Sequence, residues 1–218
     1  DGRRLLRWRT MAHDPLAGLN PAQLEAAITP ASKLLVLNSP SNPTGMVLSR
    51  QELEAIAAVL RHHPQVAVVC DEIYEFLLAP GHQHHSLAAV APDLADRVFS
   101  VNGFAKGWAM TGWRIGYCGG PRAIVSAMAT IQGQSTSNPS SISQHAAVTA
   151  LNGDQLCVAT MNEQYKRRHD FVVAGLNTLP GVQCRTGEGT FYAFADISAA
   201  MQAKGLHDDV AFCDALLE

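Results

Sequence analysis

Between Leu34 and Cys70 the chain reads as apolar run, helix start and second apolar run, and this segment restricts the fold more than any other. Leu34 to Leu37 is continuously apolar and bounded by Lys33 and an Asn-Ser-Pro turn, which predicts a strand buried on both faces. Ser49-Arg-Gln-Glu52 is a capping box, opening a helix to about His62 with Leu53, Ile56, Ala57 and Leu60 at helical spacing. Val66 to Cys70 is a second buried strand. Strand, helix and strand joined by short links form a βαβ unit, whose right-handed crossover makes the two strands parallel. Ligands of such open sheets gather beyond the C-terminal ends of the strands. The chemistry is therefore expected just after Leu37 and Cys70.

The flanking segments extend this pattern. Arg4 to Thr10 has β-like content, and Asn20, Pro21 and Gln23 mark a helix start. Residues 79–96 form a connection with one short helix near Ser86 to Ala91. Arg97 to Val101 is the next strand, and Ile115 to Cys118 continues as another. Helices are expected from Pro121 to about Gln132, from Ser141 to Leu151, and from Gln155 to about Leu179, where Pro180-Gly181 makes a turn. Gly187 to Ile197 reads as a strand hairpin and Asp208 to Leu217 as the beginning of a helix. The expected architecture is α/β, a three-layer α/β/α arrangement around a mostly parallel sheet in residues 1–179, with residues 180–218 starting a smaller α+β domain.

Composition excludes several classes of function. With 218 residues, 47% of them hydrophobic, the chain can bury a core of one domain or two small ones. A net charge of −3 gives no basic field for nucleic acid or an anionic membrane surface, so small molecules are the expected partners. No apolar run reaches the twenty or so residues of a membrane span, and the charged start DGRRLLRWRT is unlike a signal peptide. A cytoplasmic location follows as an expectation. The five scattered cysteines, without a C-x-x-C, read as reduced thiols. Asp1 in place of an initiator methionine suggests a fragment.

Three stretches carry candidate chemistry. Ser100 to Tyr117 (SVNGFAKGWAMTGWRIGY) places Lys106 among Gly103, Ala105, Gly107 and Ala109, with Arg114 eight residues on. Asn38 to Gly45 (NSPSNPTG) and Cys70 to Tyr74 (CDEIY) precede it. Lysine is the side chain that can hold an aldehyde cofactor covalently, though alone Lys106 would read as a solvated surface lysine. The planar fork of Arg114 suits a phosphate, and in isolation would read as an exposed ion pair. Asp71 alone is as well explained as a strand-end cap, Tyr74 as a half-buried aromatic, and Asn42 as a turn former before Pro43. Pro43 restricts Asn42 to extended backbone, and Gly45 can take the positive φ of a tight return. His82-Gln-His-His85 has no common metal spacing and reads as a solvated loop. The hydroxyls of Ser135 to Ser141 lack a His-acid partner and read as loop and helix cap.

In that order and spacing, the three stretches resemble the fold-type I pyridoxal-phosphate aminotransferases of class I and II over almost the whole chain. The runs IQGQSTSNPSSISQHAAVTALNG and GTFYAFADIS look most like the bacterial aspartate and prephenate aminotransferase subgroup. The resemblance implies pyridoxal 5'-phosphate as cofactor, with Lys106 holding its aldehyde and shuttling a proton. It implies Asp71 at the ring nitrogen, Asn42 and Tyr74 on the phenolic oxygen, and Arg114 on the phosphate, with no metal. It further implies an amino acid and a 2-oxo acid as substrates, an aspartate-like donor, a ping-pong cycle and a homodimer. A fold-type I lyase and a non-catalytic regulator with an aminotransferase-like domain are the alternatives. Ala105 and Gly103 depart from the serines that many relatives place there to support the phosphate. Family members are roughly twice as long, so the isolated residues are expected to bind cofactor weakly and not to turn over.

Overall fold

A computed structural model of the protein describes residues 21–217. The β-like run Arg4 to Thr10 and the Asn20 cap lie outside the described residues. Helix α1 (Pro21–Ala27) leads to strand β1 (Leu34–Asn38) and helix α2 (Arg50–His62). The start of α2 is the capping box that its sequence predicts: Glu52 N donates to Ser49 Oγ at 3.2 Å, and Ser49 N donates to Glu52 Oε2 at 2.8 Å. Strand β2 (Ala67–Asp71), a short helix α3 (Leu87–Val90), strand β3 (Val98–Gly103) and strand β4 (Gly116–Gly119) follow. The sheet runs in the order β1-β2-β3-β4, with the first three parallel and β4 antiparallel to β3. This is the expected α/β class with a mostly parallel sheet.

The core lies on one face of that sheet. Leu35 and Leu37 of β1, Val68 and Cys70 of β2 and Val98 of β3 pack with Leu53, Ile56, Ala57 and Leu60 of α2, Leu24 of α1 and Leu87 of α3. Ile56 and Leu60 are 0% exposed, and burying such a side chain contributes about 1.5–3 kcal/mol. Arg97 fastens α2 to β3: its guanidinium donates to the carbonyls of Leu60 (2.6 Å), His63 (2.8 Å) and Val66 (2.9 Å). The end of a helix leaves carbonyls without internal partners, and Arg97 satisfies them across the crossover.

Burial on both faces, expected for the strands, does not hold in β1. Leu34 and Val36 are 56% and 57% exposed and alternate with buried Leu35 and Leu37. Among the described residues β1 is an edge strand, and its covering helices sit on the Leu35–Leu37 face. An apolar run alone cannot tell one covered face from two.

Helices α4 (Arg122–Ser135), α5 (Ser141–Asn152) and α6 (Leu156–Leu176) come next. α4 buries none of its residues. α5 is held through Ser143, whose Oγ donates to Trp113 O at 2.7 Å, and α6 through Asn162, whose Nδ2 donates to Leu78 O at 2.9 Å. α6 ends three residues short of Leu179 because the Asn177 side chain turns to bond both the N–H and the carbonyl of Cys184, each at 2.8 Å.

The expected hairpin at 187–197 is also different. The antiparallel pair is β5 (Gln183–Cys184) with β6 (Ala195–Asp196). The residues between them peel away because their backbone groups bond other loops: Glu188 N and Gly189 N donate to Gly45 O (3.0 and 2.8 Å), and Thr190 N donates to Leu77 O (2.7 Å). Helices α7 (Ser198–Ala203) and α8 (Asp209–Leu217) complete the described chain. Among the described residues no helix is long and apolar enough to cross a membrane.

Candidate active site

The parallel strands end together, and the candidate residues follow those ends. Asn38, Asp71 and Val101 form one row across β1, β2 and β3. Asn42 lies four residues beyond Asn38, Tyr74 three beyond Asp71, and Lys106 three beyond Gly103. β4 runs back from the same edge, since Gly116 pairs with Gly103, so Arg114 lies there too. Asp71 at the end of β2 and the other four in the loops beyond the strands all lie at the C-terminal edge, where sheets of this kind bind ligands.

The loop after β1 is rigidly built. Asn42 N donates to Asn38 Oδ1 at 2.6 Å, Gly45 N to Ser41 O at 2.9 Å, and Leu48 N to Ser39 Oγ at 2.9 Å. Gly45 takes φ +72°, and a Cβ there would meet Gly189 O at 2.8 Å, so glycine is required on both counts. Asn42 is exposed, and its side-chain amide lies near enough to the Tyr74 hydroxyl to favour the phenolate.

Asp71 ends β2 on the more open face, and one carboxylate oxygen accepts Ile73 N at 3.2 Å. The turn-capping role that the residue type suggests is thus realised with one oxygen. Tyr74 is buried at 4% exposure, and its hydroxyl shares a 2.5 Å hydrogen bond with the hydroxyl of Tyr192. Burial, then the bond to Tyr192, pushes its phenol well above the usual tyrosine value, while the Asn42 side chain opposes the shift.

Lys106 is half-buried, with Nζ 5.5 Å from the ring centroid of Tyr74 and 5.4 Å from that of Phe191. Two ring faces therefore flank the ammonium at cation–π range. The small residues around it do less to clear space for the lysine than the sequence suggests. A Cβ on Gly107 would meet Phe76 at 2.8 Å, so that glycine admits the Phe76 ring, which stands edge-on to Trp108 at 4.8 Å. Arg114 is exposed, adopts the left-handed conformation at φ +50°, and donates from Nη1 to Thr111 O at 2.9 Å. The structure brings Asn42, Tyr74 and Lys106 into one cluster. Asp71 and Arg114 share its edge.

Two residues in that cluster escape the sequence reading: Phe191 and Tyr192, from the segment taken for a hairpin. Their rings pack with each other at 4.9 Å and with Tyr74 at 5.8 and 5.6 Å. The sequence signal is Gly187-Glu-Gly-Thr, a two-glycine tetrapeptide directly followed by a pair of aromatics.

His84 belongs to a different place. Its Nε2 is 3.8 Å from Glu72 Oε1, and neither ring nitrogen has a hydrogen-bond partner among the described residues. The histidine run is thus a partly buried wall beside β2 in part, and the fully solvated loop that its sequence suggests is not what forms.

The polar groups of the edge, an amine, a carboxylate, an amide, a phenol and a guanidinium, suit in polarity the aldehyde, ring nitrogen, phenolic oxygen and phosphate of pyridoxal phosphate. Comparison with known proteins agrees. The family profile described as Aminotransferase class I and II matches residues 3–218. The aspartate/prephenate aminotransferase of Nitrosomonas europaea is 47% identical over 206 residues, covering 92% of this chain and 52% of that protein. The enzyme of the same name from Cereibacter sphaeroides is 49% identical over 205 residues, covering 92% of this chain and 51% of that one. The crystal structure of the aspartate aminotransferase from Rhizobium meliloti superposes with a TM-score of 0.80 at 46% identity, covering 83% of this chain and 45% of that one. The chain thus spans about half the length of the curated relatives it matches. It belongs to the class I and II aminotransferases, a family of pyridoxal-phosphate-dependent transferases.

Proposed function

We propose that the chain carries much of the cofactor site of an aminotransferase that moves an amino group from an L-amino acid, with an aspartate-like donor, to a 2-oxo acid by a ping-pong cycle. The observation that carries this reading is the convergence of Asn42, Tyr74 and Lys106 at one sheet edge, with Asp71 and Arg114 on the same edge. When bound, pyridoxal phosphate supplies an electron sink for the bond broken at the substrate Cα. Lys106 Nζ would hold the cofactor through its aldehyde and, as an amine, would serve as the acid and base that moves the proton of the substrate Cα. The Asp71 carboxylate would pair with the ring nitrogen and keep it protonated. Asn42 and Tyr74 would donate to the phenolic oxygen, and Arg114 would bind the phosphate.

The whole protein is read as a cytoplasmic homodimer with two domains, the first ending near residue 179 in this numbering. These 218 residues alone bind cofactor weakly and do not turn over, because they span about half of the relatives. The test is the full-length protein assayed with L-aspartate and a 2-oxo acid. Lys106→Ala is expected to abolish both covalent cofactor binding and transfer. Retention of covalent cofactor in that variant would overturn the role of Lys106. Acceptor-independent release of ammonia and pyruvate from an amino acid that carries a β-leaving group, such as L-serine, would establish a lyase instead, and an inert but cofactor-binding protein would establish a regulator.

A further inference from the structure

The segment from Gly187 to Tyr192 returns from beyond α6 and straps the two site loops together. It bonds the loop after β1 through Gly45 O and through Glu188 Oε2, which accepts Val47 N at 2.8 Å. It bonds the loop after β2 through Ala79 N, which donates to Glu188 O at 2.8 Å, and through Leu77 O. Thr190 sits in it at φ +63°, a conformation costly for a β-branched residue, and its Oγ1 accepts Tyr192 N at 3.3 Å. All of this fixes Tyr192 where its hydroxyl meets that of Tyr74.

We propose that Tyr192 is a positioning residue that acts through Tyr74. The inference rests on the reading that Tyr74 faces the cofactor. A phenol carries one proton, so the Tyr74 hydroxyl can donate in one direction only. When an anionic acceptor stands before Tyr74, its proton goes to that acceptor, and Tyr192 donates to the oxygen left behind. The chain then runs from Tyr192 O–H to Tyr74 O–H to the acceptor, and each bond polarises the next. Without the Tyr192 hydroxyl, Tyr74 becomes a weaker donor with a freely rotating proton.

The decisive variant is Tyr192→Phe in the full-length holoenzyme, because it keeps the ring packing and removes only the oxygen. The pH midpoint of the bound cofactor's visible absorbance is expected to rise by about half a pH unit, a threefold change in the proton equilibrium. In the cofactor-free protein, the ¹³Cζ resonance of Tyr74 is expected to move in the same variant. A midpoint that stays or falls, or an unmoved Tyr74 resonance, overturns the proposal. A purely structural role would lower the melting temperature and leave the midpoint in place, which also overturns it. Tyr192→Leu, which removes ring and hydroxyl together, controls for packing: its midpoint is expected to match that of Tyr192→Phe, and a larger shift would refute action through the hydroxyl. Lys106→Ala is run in parallel. Covalent cofactor surviving there defeats the functional reading itself, whereas its loss beside an unshifted Tyr192→Phe midpoint defeats only this inference.

Discussion

Glu72, next to the proposed ring-nitrogen partner Asp71, is a buried carboxyl at 8% exposure. Burial raises its pKa, against the hydrogen bonds of Ser86 and Ser100, and the neighbouring Asp71 charge raises it further. His84 opposite is pushed the other way, downward by burial and then by His85, so the two do not form a standing ion pair at neutral pH. The folded protein holds the Glu72 proton more tightly than the unfolded chain does. Its contribution is therefore fully present in acid and is lost as pH rises through the raised folded value. Glu72→Gln is expected to stabilise the protein at pH 7 by roughly 1 kcal/mol. That gain should vanish below about pH 4, where the wild-type carboxyl is protonated in both states. Urea unfolding at the two pH values measures it, and a destabilised variant at pH 7 would refute the account.

Among the elements, the join between α2 and β3 depends on one side chain. Arg97 reaches three carbonyls because its donors are arranged as a fork, and lysine carries the same charge without that geometry. Arg97→Lys is expected to cost about 2 kcal/mol in urea unfolding, on the scale of lost charge-assisted hydrogen bonds; a cost near zero would show the fork to be dispensable. Elements defined by neighbours in sequence were legible before any coordinates: the Ser49–Glu52 box, the βαβ unit, and the loops bearing Asn42, Asp71, Tyr74, Lys106 and Arg114. What was not legible depends on distant partners. β1 has one covered face because of where the helices settle, and Gly187 to Tyr192 leaves the hairpin because its backbone finds Gly45 and Leu77. Tyr192 meets Tyr74 across 118 positions of sequence, a pairing that no periodicity encodes.

For the whole molecule, the apolar surface outside the core carries the main consequence. Leu34 and Val36 lie open on β1, and Ile124, Met128 and Ile131 lie open on α4, at 45%, 43% and 69% exposure. Exposed apolar patches of this kind mark surfaces that associate. The 218-residue chain is expected to bind the dye ANS and to sediment as assemblies. Met128→Lys combined with Ile131→Glu should reduce both several-fold without lowering the melting temperature, because α4 buries neither residue. Unchanged dye binding would place the sticky surface elsewhere.

The strap also sets a timetable. Glu188 closes on Val47 across 141 residues, and contacts so far apart in sequence form late. During synthesis β1, α2, β2 and β3 emerge first and can assemble on local and neighbouring contacts. Their loops wait unfastened until Gly187 to Tyr192 leaves the ribosome. A pause or a break before that point therefore yields a chain with its sheet in place and its active-site edge unfinished.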